Sequence, residues 1–282
     1  MPSVTVCNSR RRWMRLAAAA AAALVAATTV AGCKSTTAAG TVGVERKQTL
    51  LLSSREVNNA AAQSYQQILA QASRKGLLNR DPQQVARVRA VAKRLIPVTA
   101  AFRQDAPGWQ WEVNVITLKD LNAWCMPGGK IAVYTGLLEK LQLTDDELAA
   151  VMGHEIAHAL REHGRERASQ AVATGAVIGI AGAVLGASSG AVDLAGIVAD
   201  LTISRPNSRT HEIEADRIGV ELAARAGYDP RAAVSVWQKM ARAGDGEPPQ
   251  FLSTHPSTEN RIRDLQSYAA RVEPLYQQAR KR

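Results

Sequence analysis

The chain is poor in cysteine, in aromatic rings and in acids relative to bases, and each shortage removes a class of protein. Only 3 of its 282 residues are cysteine. Cys7 and Cys33 lie at the extreme N-terminus, so the body of the chain holds Cys125 alone and cannot form an internal disulfide. No histidine lies near Cys125 in sequence, and it reads as a small core residue rather than a nucleophile. Aromatic residues make up 4 % of the chain. They are not interleaved with the basic residues, which argues against a nucleic-acid binder despite the net charge of +10. No tandem repeat is present, so an appended helical-repeat partner domain is not expected. Long unbroken apolar runs are missing as well. Ala171 to Val192 is uncharged but consists mostly of Ala and Gly, and Gly186-Ala187-Ser188-Ser189-Gly190 interrupts it. It reads as a helical hairpin rather than a membrane span.

The first 33 residues have the layout of an export signal. Arg10, Arg11, Arg12 and Arg15 form a positive region, and Leu16 to Val30 is apolar and rich in alanine. Val30-Ala31-Gly32-Cys33 resembles a bacterial lipobox. Residues 1–32 are therefore expected to be cleaved, Cys33 to be lipidated, and 33–53 to form a tether rich in Ser, Thr, Ala and Gly. Ser9 to Arg15 also resembles a twin-arginine export signal. Lys34 follows the cysteine where an aspartate would signal inner-membrane retention, so the expected address is the periplasmic face of the outer membrane. Loss of the four leader arginines takes the charge from +10 to +6, a mild excess suited to a surface near anionic lipid. Residues 54–282 are enough for one sizeable domain.

What the chain does contain is a histidine cluster. All five histidines fall between 154 and 255, and two of them lie in His154-Glu155-Ile156-Ala157-His158. Thr144-Asp145-Asp146-Glu147 reads as a capping box opening a helix, with three acids at its positive end. Leu148, Val151, Met152, Ile156, Ala159 and Leu160 then recur at helical spacing, ahead of a basic tail from Arg161 to Arg167. Residues four apart share a helix face, so His154 and His158 can grip one zinc ion while Glu155 reaches a water on it. A third ligand is required. The best candidate is Glu212, four before Asp216 on a second helix stopped by Gly227. Asp216 would accept the outer N–H of a liganding histidine. Glu214 is a rival, but it lies about 200° round the helix from Glu212. His211 points elsewhere and reads as structural or exposed. His163, five beyond His158, reads as a solvated helix-end residue.

The H-E-x-x-H helix followed by Ser208-Arg209-Thr210-His211-Glu212-Ile213-Glu214-Ala215-Asp216 resembles the zinc metallopeptidases grouped with HtpX and the CAAX prenyl proteases. Met126 to Ile131, Gly136-Leu137-Leu138, Gly227-Tyr228-Asp229-Pro230, and His255-Pro256 with Arg261 beyond extend the likeness over roughly 55 to 270. The resemblance implies an α+β, predominantly helical zincin-like domain with a small β-sheet beside the metal helix. It implies one Zn2+ per chain on His154, His158 and Glu212, with Glu155 as catalytic base. His255 and Arg261 are candidate donors to the oxyanion, and His255 also a candidate extra ligand. By the same likeness, Gly128, Gly129, Lys130, Ile131, Ala132, Val133 and Tyr134 lie near an edge strand that would pair with a polypeptide substrate. The implied function is proteolytic quality control of misfolded or unassembled envelope proteins, with a zinc-dependent chaperone as the alternative. No nucleic-acid partner is expected, and the membrane is reached through the lipid on Cys33.

Overall fold

The computed structural model describes residues 33–174, 194–243, 250–256 and 260–281. The expected leader and most of the expected helical hairpin (175–193) lie outside the described residues. No helix among the described residues is long and apolar enough to cross a membrane.

Residues 33–53 do not trail from the domain as a tether. Strand β1 (Cys33–Lys34) pairs antiparallel with β2 (Gln48–Thr49), and between them Val42 and Val44 sink into the main core. The Ala38 N–H donates to the Phe102 carbonyl at 2.8 Å, and the Val42 N–H donates to Glu221 Oε2 at 3.0 Å. The polar, small-residue composition suggests a tether, but a few apolar anchors with paired backbone groups are enough to lay the segment down.

Helix α1 (Ser54–Arg74) opens on a capping box between Ser53 and Glu56, and Gly76 follows it at φ +64°. Helix α2 (Pro82–Val98) starts with proline in its first turn under the Asp81 cap. It gives way to a 3₁₀ turn at Thr99–Ala101. Three strands follow: β3 (Glu112–Ile116), β4 (Ala123–Met126) and β5 (Lys130–Tyr134). Their order is β3-β5-β4, with β5 parallel to β3 and antiparallel to β4.

This order corrects one expectation. Lys130 to Tyr134 is the central strand, with its hydrogen-bonding groups committed on both sides, so no peptide can add to it. Among the described residues, the sheet edge beside the metal helix that carries no further strand belongs to β4. Chain order suggests a hairpin ending in β5, whereas the parallel return of β3 caps β5 on its far side.

Helix α3 (Thr135–Lys140) leads to α4 (Asp145–Leu160), the metal helix. Its capping box is formed: the Glu147 N–H donates to Thr144 Oγ1 at 3.2 Å, and the Thr144 N–H donates to Glu147 Oε2 at 2.9 Å. The helix stops at Leu160 instead of running on through a basic tail. Glu162 takes a left-handed conformation (φ 50°), and α5 (His163–Ala173) sets off in a new direction. Beyond the undescribed stretch come α6 (Leu194–Ala199) with a π-turn at Asp200–Ser204, α7 (Arg209–Arg225) capped by Ser208, α8 (Ala232–Arg242), α9 (Gln250–Thr254) and α10 (Arg261–Arg280).

Helix α4 lies between β4 and α7, and α10 packs against the other side of α7. The α4–α7 crossing is made by two glycines. A Cβ on Gly153 would stand 2.8 Å from the Gly219 carbonyl oxygen, and one on Gly219 would stand 2.7 Å from the His154 backbone nitrogen. Both obstacles are backbone atoms, which cannot swing aside. Alanine gains up to about 1 kcal/mol over glycine in helix propensity, but overpacking a close crossing costs about 1–3 kcal/mol. Gly219→Ala is therefore expected to lower the urea midpoint of the metal-free chain, whereas a midpoint at or above wild type would contradict this account of the crossing.

Candidate metal centre

The glycine crossing brings the α4 face bearing His154 and His158 against the α7 face bearing Glu212. His154 Nε2 and His158 Nε2 lie 3.1 Å apart. Each is 3.3 Å from a Glu212 carboxylate oxygen. His255, just beyond α9, joins them: its Nδ1 is 3.0 Å from Glu212 Oε1 and 3.2 Å from His154 Nε2. All four donor atoms fall within 4.8 Å of one another, and all four residues are buried. Ligands at about 2.0–2.2 Å in a tetrahedron round zinc stand about 3.3 Å apart, so this spacing matches one ion.

The surroundings support the fit. The outer nitrogen of His154, Nδ1, is 3.0 Å from Asp216 Oδ1, the arrangement expected from the sequence. Its Nε2 lone pair is thereby turned toward the cluster. Glu155 Oε1 is buried without a hydrogen-bond partner, and its nearest cation-forming neighbour is His255 Nε2 at 3.5 Å. An orphaned buried carboxylate oxygen next to three convergent lone-pair donors is a site shaped for a cation and its water.

The charges are set by burial and by the partners. Burial pushes the Glu155 carboxyl up from its ordinary value. Burial would do the same to Glu212, but His255 and His154 hold it well below the usual carboxylate range. Burial drives His158 down to about 3, which keeps the imidazole neutral as a ligand requires. Burial also opposes a charge on His154, yet Glu212 and Asp216 outweigh it and raise that group to about 9.

Arg261 is committed elsewhere than expected. Its Nη2 donates to Asp216 Oδ1 at 2.7 Å and to Glu212 Oε2 at 3.2 Å, and its guanidinium lies over the Trp237 ring. It clamps the two carboxylates from behind, leaving His255 as the group beside Glu155. Gly128, Gly129 and the β5 residues are not among those that line the cavity at Glu155. The β4 edge contributes: Cys125 and Pro127 line this small cavity with Glu155, His158 and His255. Cys125 is a buried free thiol, and burial raises its pKa well above the ordinary value.

His163 does not sit where its spacing on a continuous helix would put it. His163 is 1 % exposed rather than solvated, with Nδ1 2.8 Å from His158 Nδ1 and Nε2 3.0 Å from Glu214 Oε2. Glu214 is no metal ligand, since it is taken up by His163, Arg161 and Arg46. Arg161, the first residue of the basic tail, is wholly buried. The burial of His163 follows from the turn at Glu162. On a continuous helix His163 would sit about 140° from His158, but the left-handed residue folds it back. Arg103 and Arg165 hold the Glu162 carboxylate at 2.5 Å each. No glycine marks that turn, so the local sequence carries no sign of it. His211 is buried and stacks on His163 with centroids 4.2 Å apart.

The chain matches the model of Peptidase family M48 over residues 82–269. It is 35 % identical over 239 residues to the mitochondrial metalloendopeptidase OMA1 of Bos taurus, covering 78 % of this chain and 44 % of that protein. It is 41 % identical over 161 residues to the mitochondrial metalloendopeptidase OMA1 of Arabidopsis thaliana, covering 56 % of this chain and 31 % of that one. Metalloprotease LoiP of Escherichia coli is 30 % identical over 181 residues, with 62 % of this chain and 71 % of LoiP covered. The chain thus spans less than half the length of the two OMA1 proteins.

A proton on His154 must leave before a cation can bind. At pH 7.5 the metal-free group, raised to about 9, carries that proton. Zinc titration followed by calorimetry is expected to show a heat that scales with buffer ionisation enthalpy, corresponding to release of about one proton per site. A heat independent of the buffer would contradict the assigned state of His154.

Proposed function

This chain belongs to Peptidase family M48, and on that footing we propose that it is a zinc-dependent metalloendopeptidase. The observation that carries the reading is the unpartnered Glu155 oxygen beside the His154, His158 and Glu212 donors. Zinc held there supplies Lewis-acid chemistry, polarising a peptide carbonyl and acidifying water. Glu155 takes the proton from the attacking water and delivers it to the leaving amine. Asp216 holds His154 in the tautomer that presents Nε2, and Arg261 donates to both Asp216 and Glu212, fixing the two carboxylates in place. His255 stands next to Glu155 and supports a role as oxyanion donor or extra ligand.

Substrate enters as a strand along β4. The Tyr134 N–H donates to the Asn122 carbonyl. In an antiparallel ladder this alternation turns the Ala123 and Cys125 peptide groups away from β5, toward the free edge. Cys125 lines the same cavity as Glu155, so a peptide paired there passes the base. Main-chain pairing gives affinity with loose sequence preference.

The finer reading is a lipoprotein acting on misfolded or unassembled envelope proteins. The lipobox ending at Cys33 supports the address. The order of the motifs from Met126 to Arg261 supports a place beside the HtpX-type and CAAX-type enzymes.

Glu155→Gln is expected to keep zinc and to lose casein cleavage by about 10²–10⁴-fold, with wild-type cleavage abolished by a chelator. Wild-type turnover by the Gln variant would overturn the assignment of the base. Equal rescue of a deletion strain by both forms would move the function from cleavage to binding.

A further inference from the structure

Next to the metal cluster lies a second buried set that the chemistry above does not use. It comprises His163, Glu214 and Arg161, with Arg46 reaching in from the N-terminal segment. We propose that His163 and Glu214 are positioning residues for His158, fixing it as the Nδ1–H tautomer, and that Arg46 anchors this relay. The inference rests on the zinc-peptidase reading.

The argument is one of proton placement. His158 Nε2 faces His154 Nε2 and Glu212, where a lone pair is needed. The single proton of a neutral ring must then sit on Nδ1. That atom is 2.8 Å from His163 Nδ1, which must accept. His163 in turn carries its proton on Nε2 and donates to Glu214 Oε2 at 3.0 Å. Every link has one donor and one acceptor, and only one direction is compatible with a cation. The reverse direction would put a proton on His158 Nε2 in the middle of the ligand set.

The far end is fixed by charge. Glu214 receives Arg161 Nε at 3.1 Å and Nη2 at 3.2 Å, and Arg46 Nε at 2.7 Å and Nη2 at 3.1 Å. Arg46 is held in turn by Glu166, through Nη1 at 2.6 Å and Nη2 at 2.8 Å. The His163 ring plane is set by stacking on His211, whose Nε2 lies 3.2 Å from Glu166 Oε2. His154 reaches its carboxylate, Asp216, directly, whereas His158 reaches Glu214 through an interposed ring. The interposed ring carries the tautomer constraint out to residue 46, so the N-terminal segment becomes part of the metal site's support.

The test uses the full chain and zinc itself, with affinity read by competition against a chromophoric chelator. Removing the outer partner of a metal-bound histidine weakens binding about 10–100-fold, and that loss is expected for His163→Ala. His163→Gln, whose amide can still accept and donate, is expected to stay near wild type. Arg46→Met is expected to fall between them. A packing role alone would lower the unfolding midpoint of the metal-free chain without separating the Ala and Gln variants in zinc affinity. Nitrogen-15 spectra of the zinc-loaded wild type are expected to place protons on His158 Nδ1 and His163 Nε2, a readout that survives if the Ala variant does not fold. The proposal is overturned if His163→Ala binds zinc like wild type, if the Gln variant loses as much as the Ala variant, or if His163 carries its proton on Nδ1. Failure of the wild type to bind zinc at all overturns the zinc reading and this inference with it.

Discussion

The backbone contact between Gly153 and Gly219 is the constraint on which the site depends. Two helices normally pack 8–10 Å apart, with side chains between them. Here a methyl group on either glycine would strike main-chain atoms of the other helix. The contact lies immediately before His154 and seven residues after Glu212, so the crossing point sets the distance between the histidines and the carboxylate. Donors supplied by separate helices must meet to within a few tenths of an ångström, and a crossing through backbone permits less sliding than one through flexible side chains.

Burying so many ionisable groups would be costly without pairing. The chain meets that cost with two networks on opposite faces of α7. One face carries Glu212 and Asp216, held by Arg261 behind and by His154 in front. The other carries His211 and Glu214, held with Glu166 by Arg46 and Arg161. Burial alone would push the Glu166 carboxyl up, but Arg46, His211 and Gln48 hold it far below its ordinary range. The N-terminal segment enters through Arg46 and Gln48. Their bonds explain why a stretch of small polar residues is laid against the domain instead of leaving it free.

What the sequence made legible was chemistry at fixed helical spacing. The four-residue repeat of His154 and His158, the capping box at Thr144 and the pair Glu212 and Asp216 each depend on one helix geometry. Of these, His154, His158 and Glu212 stand together at ligand distances. The misreadings share one cause, which is that they depend on where the chain turns. A non-glycine left-handed residue at Glu162 buries His163, which a continuous helix would have left solvated. The parallel pairing of β3 with β5 moved the free edge from Lys130–Tyr134 to Ala123–Met126. Arg261 is a candidate oxyanion donor by resemblance, yet only the fold reveals that its guanidinium is spent on Glu212 and Asp216. Neither turn preference nor hydrophobic period encodes such long-range pairings.

The central claim is that one zinc ion binds where α4 and α7 cross. Anomalous diffraction from zinc-loaded crystals, collected on both sides of the zinc absorption edge, tests it directly. The account expects a single peak within about 2.0–2.2 Å of His154 Nε2, His158 Nε2 and a Glu212 oxygen. A peak centred on His163 and Glu214, or none between the two helices, would contradict it.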